Sequence, residues 1–218
     1  MSAAFDAVSS TTGSGVTSVS WTHTPVGTPT AVGMGTYYFG DALVTAATYG
    51  LTSFGASVAN SSDTTGDLLR LYGLANPASG AQTVSITWQW AVYPVAGSVT
   101  VTSSDTTTCY RSGSPNSANG SGNALSVTIS SATGDLIYAV GGQDPCGTIT
   151  PGNTSRWTQA SGGLDGMGET ADGAASVAMT ASTSGSNPWC IAGASFQAAA
   201  AAGIAVPVLT AQYRQRWQ

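Results

Sequence analysis

The chain is predicted to be all-β: an antiparallel two-sheet sandwich over residues 1–197, jelly-roll topology preferred, followed by an extended C-terminal arm over residues 198–218. Three observations carry this expectation. Short apolar stretches of period two recur along the chain, and that period belongs to half-buried strands. Gly, Pro, Asn and Ser residues punctuate them at turns. No segment before Ala198 carries an amphipathic helical repeat, and many short strands without helices fold as a sandwich or barrel.

Residues 70–93, RLYGLANPASGAQTVSITWQWAVY, organise the rest. A short apolar strand ends in the turn Asn76-Pro77-Ala78-Ser79-Gly80. From Gln82 the chain alternates strictly, with Val84, Ile86, Trp88, Trp90 and Val92 on one face and Thr83, Ser85, Thr87 and Gln89 on the other. At about 3.3 Å per residue this strand would span roughly 40 Å, enough to cross a sheet.

Upstream, residues 5–8 begin a strand, residues 9–15 form a Ser/Thr/Gly turn, and residues 16–23 alternate with Val19 and Trp21 inward. Residues 31–39, AVGMGTYYF, are nearly all apolar or aromatic, as expected of a strand covered on both faces. Strands over 42–49 and 51–59 follow, divided at Gly50, and residues 60–66 read as a loop. Downstream, residues 94–97 read as a tight connection into a separate strand at 98–103, and residues 104–123 as a long polar loop. Leu125, Val127 and Ile129 face inward on the next strand, and Gly134-Asp135 turns into residues 136–142. Residues 143–155 are irregular, Trp157 introduces a short strand, and GGLDGMGETADGAA reads as a Gly-rich loop. Strands over 176–182 and 189–197 complete the domain.

Composition narrows the function classes. Only 7% of residues are charged, and the five basic residues are all arginines: Arg70, Arg111, Arg156, Arg214 and Arg216. A surface of hydroxyls and amides gives little repulsion between neighbouring copies, which suits dense assembly or an extracellular setting. A net charge of −5 and arginines scattered except for the last two argue against a nucleic-acid footprint, which needs clustered Lys and Arg. No apolar run reaches the roughly 18 residues of a membrane span, and the opening MSAAFDAVSSTTGSG shows no basic segment followed by an apolar one, so no secretory signal is expected. Cys109, Cys146 and Cys190 lack metal-ligand spacing and leave at least one thiol unpaired; a Cys109–Cys146 bridge stays open.

Groups for catalysis are sparse. His23, the single histidine, lies at a strand end, where a structural role is expected, although a Ser-His-Asp triad would have to use it. Glu169, the single glutamate, lies in the Gly-rich segment with Asp165 and Asp172, three carboxylates within eight residues that would suit Ca²⁺ in a loop, although their spacing matches no EF-hand and a solvated loop is the alternative. No catalytic residue, metal site or cofactor is assigned. Among the aromatics, Trp88 and Trp90 share the face of Val84 and Ile86 and are assigned to the core. Trp157 and Tyr110, flanked by polar residues and beside Arg156 and Arg111, are the ones expected at the surface, a candidate contact for a glycan or receptor.

The pieces FDAVSS, SVSWTHTPVGTPTAVGMG, VTAATYG, LYGLANPASGAQTVSITW, SVTISSATGDLIYAVGG and NPWCIAGASF occur in an order and spacing that resemble a loosely defined family of bacterial and bacteriophage jelly-roll proteins, over about residues 5–196. The resemblance implies a fold more than a site, because its motifs are turns and core strands. It also implies a virion surface protein: a capsid decoration or cement protein, or a fibre component. Such a protein would assemble in the host cytoplasm and bind the major capsid protein, other virion subunits or further copies of itself. The alternative is a carbohydrate- or receptor-binding module of a phage tail or of a secreted, extracellular bacterial protein. The segment beyond the resemblance, AAAAAGIAVPVLTAQYRQRWQ, ends in Tyr213, Arg214, Arg216 and Trp217. These residue types are enriched at interface hot spots, and the arm is expected to dock.

Overall fold

A computed structural model describes residues 1–145 and 147–200. These residues contain strands and no helix, so the class is all-β. The strands are β1 (Ala4–Thr12), β2 (Val16–His23), β3 (Ala31–Phe39), β4 (Val44–Tyr49), β5 (Thr52–Ser53), β6 (Ala59–Ser62), β7 (Leu68–Ala75), β8 (Gln82–Thr102), β9 (Asn116–Ser130), β10 (Leu136–Gln143), β11 (Ile149–Pro151), β12 (Thr154–Ser161), β13 (Leu164–Asp172) and β14 (Ser176–Phe196).

Two antiparallel sheets pack together. The first runs β5-β4-β8-β3-β7-β6, with β1 and β2 also paired to β8; the second runs β11-β14-β10-β13-β12, with β9 paired to β14. Strands β1–β8 therefore build one sheet and β9–β14 the other. This partition by halves of the chain does not confirm a jelly-roll order, whose Greek keys pass successive strands between sheets.

Each sheet is organised by one strand of 21 residues, β8 or β14. Both were expected as two shorter strands. The early part of β8 pairs with β2 and β4 and the later part with β1 and β3. Pro94 does not end the strand. It sits opposite Tyr38, and its carbonyl accepts the Gly13 N–H. The strand β14 behaves alike, with a register shift between Ser182 and Asn187. Residues 116–123, expected as loop, extend β9 because they pair with residues 187–193 of β14. The Gly-rich segment expected as loop is β13, hydrogen-bonded on both sides by β10 and β12. The turn at residues 76–80 is as expected, with Asn76 at φ 49° and Gly80 at φ 75°.

The core has three parts. The central one, between the sheets, joins Tyr37, Leu69, Leu71, Val95 and Val99 to Tyr138, Val140, Cys190, Ala192 and Phe196. A second lies inside the curl of the first sheet, where Val19, Trp21, Ile86 and Trp88 cover Met34, Tyr38 and Tyr72. A third lies behind the second sheet, around Leu125, Ile129, Ile137, Met167 and Ile191. The strands β10 and β3, the latter as far as Tyr38, are buried on both faces, hence their continuous apolar runs; Phe39, expected to be covered, is exposed.

Glycines set how closely the sheets approach. A Cβ on Gly33 would meet Tyr110, Phe196 and Tyr138; one on Gly35 would meet Val140; one on Gly97 would meet the Trp157 indole; one on Gly142 would meet the Tyr37 ring. The rings thus fill space that side chains would otherwise occupy.

One core assignment needs correction. Trp88 is 2% exposed and contacts Tyr38 edge-on at 5.6 Å, but Trp90 is 45% exposed. Between Thr87 and Val92 the partner strand β2 supplies a single residue, so β8 bulges and the alternation breaks. Trp88→Ala should therefore cost about 3–5 kcal/mol, and Trp90→Ala no more than about 1 kcal/mol. Thermal melts of the two variants check this contrast.

Candidate functional site

The four candidate surface residues of the described region are engaged in structure. Tyr110 is buried, its hydroxyl donating to the Tyr72 carbonyl at 3.0 Å and its ring 4.7 Å from Phe196. Trp157 is buried, its Nε1–H donating to the Tyr138 hydroxyl at 3.1 Å. Their expected exposure is corrected: polar sequence neighbours concealed them, and Gly33, Gly73, Gly97 and Gly168 open the space that receives them. Arg111 forms a bidentate pair with buried Asp135 at 2.6 and 2.9 Å. Burial alone would raise the Asp135 carboxyl, but Arg111, the Ala198 N–H and the Ser195 hydroxyl hold it below the usual carboxylate range. Arg156 lies 3.5 Å over the Phe5 ring and donates to Thr170 Oγ1 at 2.7 Å. Tyr213, Arg214, Arg216 and Trp217 of the arm lie outside the described residues, as does Cys146. Cys109 is a free thiol, with Sγ 3.6 Å from the Val32 carbonyl oxygen.

The carboxylates considered for a cation are spread along β13, with Asp165 and Asp172 roughly 23 Å apart at strand rise. Glu169 between them accepts the Asn153 N–H at 2.9 Å and the Asn153 side-chain amide at 3.2 Å, closing the β11–β12 turn. Burial nevertheless raises its pKa. Among the described residues no group of three or more His, Cys, Asp or Glu side chains is placed to hold a metal ion.

The exposed aromatic surface lies where β8 bends. Phe39 (47% exposed) ends β3, Leu43 (61%) lies in the β3–β4 connection, and Trp90 and Tyr93 (38%) are exposed on β8. Phe39 and Tyr93 are register partners with rings 6.3 Å apart, and the Gln89 N–H donates to the Leu43 carbonyl at 2.9 Å, tying the β3–β4 connection to the bend. Exposed Asp41 lies in that connection. Beside Leu43 a groove of about 340 Å³ is lined by Thr45, Ser53, Ser57, Arg70 and Tyr72. Sequence reading missed this corner because the bulge at residues 88–91, which turns Trp90 outward, leaves no mark in the alternation. No protein family, curated protein or solved structure matches the chain.

A buried polar chain runs under β1. Ser9 Oγ and Ser98 Oγ lie 2.7 and 2.9 Å from His23 Nδ1, Thr100 Oγ1 lies 3.1 Å from Nε2, and the Thr100 hydroxyl donates to Asp6 at 2.8 Å. Burial pushes the His23 pKa down to about 4, against the attraction of Asp6, so the ring is neutral at pH 7. Its contribution to stability is therefore complete above pH 6.5 and is lost as pH falls through about 4. His23→Gln should remove on the order of 3 kcal/mol of acid sensitivity in that window, checked by urea unfolding of both proteins at a series of pH values.

Proposed function

We propose that the chain is a structural protein of a bacteriophage particle, a capsid decoration or cement protein that acts through protein–protein contacts and performs no chemistry. The observation that carries this reading is the exposure of Phe39, Leu43, Trp90 and Tyr93 around the β8 bend, with Phe39 and Tyr93 paired, on a hydroxyl-rich surface of low charge. Exposed apolar clusters rimmed by polar residues mark interaction sites, and aromatic residues dominate their energetics. The groups with chemical potential give further support: His23, Glu169 and Asp135 are each held in buried hydrogen bonds, and Cys190 is buried with its pKa raised to about 12 by desolvation.

The motif resemblance supplies the virion setting. It points to the major capsid protein, other virion subunits or further copies of this chain as partners, with assembly in the host cytoplasm. Charge supports an additional role for the arm. Residues 1–200 hold three arginines against ten acidic residues, 3 − 10 = −7, whereas Arg214 and Arg216 contribute +2, giving the net −5. Opposite charge on arm and domain favours docking of one on the other.

A second reading, a carbohydrate- or receptor-binding module of a tail fibre or secreted bacterial protein, is favoured by the groove beside Leu43. Its lining sets the hydroxyls of Thr45, Ser53 and Ser57 and the Arg70 side chain beside apolar Leu43, the mixture of polar and apolar groups that a sugar contacts.

The combined variant Phe39→Ser and Trp90→Ser should keep a near-native melting temperature and lose about tenfold or more in co-sedimentation with phage particles, the effect of roughly 1.4 kcal/mol. Deleting residues 201–218 should likewise weaken attachment without unfolding the sandwich. Glycan-array binding abolished by the double substitution, with particle attachment unchanged, would favour the second reading. No effect on either would remove the corner from both.

A further inference from the structure

At the seam between the sheets, two carboxylates share their hydrogen-bond donors. Asp63 and Asp67 lie in the turn between β6 and β7, and both are buried. The Tyr37 hydroxyl, from β3, is 3.1 Å from Asp63 Oδ2 and 3.2 Å from Asp67 Oδ2. The Thr65 hydroxyl is 2.8 Å from Asp63 Oδ1 and 3.3 Å from Asp67 Oδ2. Each hydroxyl has one proton and two carboxylate neighbours. With both acids ionised, each hydroxyl therefore faces at least one carboxylate oxygen to which it donates nothing. A proton on Asp67 lets that acid donate to Tyr37 while Tyr37 donates to Asp63.

The two acids are not equivalent. Asp63 Oδ1 also accepts the Thr65 and Asp67 N–H groups at 2.9 and 3.0 Å, which stabilises its charge. Asp67 Oδ1 is buried without a partner among the described residues, the place where a charge is most costly. The surroundings do not compensate. Asp144, beyond β10, adds negative charge; the Cys190 thiol on β14 and the Tyr37 phenol are held neutral by burial; and Arg70 on β7 donates its Nη1–H to the Leu69 carbonyl.

This turn leads from the strand that stitches the sheets together. Ser61 Oγ donates to the Ala118 carbonyl at 3.1 Å, Ser117 Oγ donates to the Asn60 carbonyl at 2.7 Å, and the Asn119 amide donates to the Ser62 carbonyl. These bonds join β6, the edge of the first sheet, to β9 of the second. We propose that the β6–β7 turn is a proton-held clasp between the two sheets, closed while Asp67 carries a proton and loosened when that proton leaves. Burial, then the charges of Asp63 and Asp144, place the Asp67 pKa at about 7, so the clasp would open within the physiological range. Because its folded pKa lies above its ordinary 3.8, the Asp67 contribution to stability is complete below that value and is lost as pH rises through about 7. His23 acts in the opposite direction over nearly the same window, so a global melting curve would mask both and a local readout is needed.

Amide hydrogen exchange of the full chain, corrected for intrinsic rates, should show residues 59–67 and 116–120 losing protection about tenfold or more between roughly pH 5.5 and 8.5, with β10 unchanged. In Asp67→Asn, a neutral carboxamide of the same shape, the pH dependence should vanish. Equal protection at both pH values in the wild type, or the same loss in Asp67→Asn, would overturn the proposal. So would recovery of protection at high pH on adding Ca²⁺, since the acids would then be holding a cation. If Asp67→Asn does not fold, carboxyl NMR titration of the wild type decides: an Asp67 midpoint below about 5 overturns the clasp, and one near 7 supports it.

Discussion

Everything in this molecule depends on how closely the two sheets approach. Facing sheets ordinarily lie about 10 Å apart with side chains interdigitating between them. Here glycines on both faces leave sockets, and aromatic side chains from the opposite sheet or from the connecting segment at residues 103–115 fill them: Tyr37 over Gly142, Trp157 against Gly97, Tyr110 against Gly33 and Gly73. The polar atoms of Trp157, Tyr110 and the neighbouring Tyr138 find partners inside the interface. Trp157 donates to Tyr138, Tyr138 to the Gly97 carbonyl, and Tyr110 to the Tyr72 carbonyl. The glycines and the rings are thus one device, because a ring without its socket would separate the sheets and a socket without its ring would leave a void.

That apposition fixes what the other faces must do. The strands β3, β7 and late β8 spend one face on the second sheet, so their other face needs cover from within the same half of the chain. Early β8 supplies it by curling back with β2 and β4. The curl demands a bend in a continuous strand, and the bend at residues 88–91 breaks the alternation and turns Trp90 outward, ahead of the exposed pair Tyr93 and Phe39. The exposed aromatic corner is therefore a geometric by-product of covering the inner face, available for contacts without weakening the core.

Sequence legibility follows the same division. Strand character, the double-sided burial of residues 31–38, the turn at residues 76–80 and the inward Val19, Trp21 and Trp88 were readable because they rest on local periodicity and local turn chemistry. Continuity of β8 through Pro94, extension of β9 through a polar stretch, and the strand state of the Gly-rich segment were not, because each is imposed by a partner strand far away in sequence. The same holds for individual side chains. Polar neighbours suggested exposure for Tyr110 and Trp157, whereas their burial is decided by glycines on strands distant in the chain. Asp63 and Asp67 carried no signal because their significance comes from Tyr37, twenty-six and thirty residues away.

The scarcity of cations explains why a proton can matter at the seam. In most proteins a buried carboxylate is matched by Lys or Arg, and this chain has no Lys. Among the described residues Arg111 is committed to Asp135, Arg156 to Thr170 and the Phe5 ring, and Arg70 to the Leu69 carbonyl. Asp63 and Asp67 are left with hydroxyls and N–H groups, which suffice for one negative charge and not for two. A low-charge composition suited to close contact between neighbouring copies thus also removes the internal counter-ions, and the charge balance of the buried acid pair passes to the solvent proton.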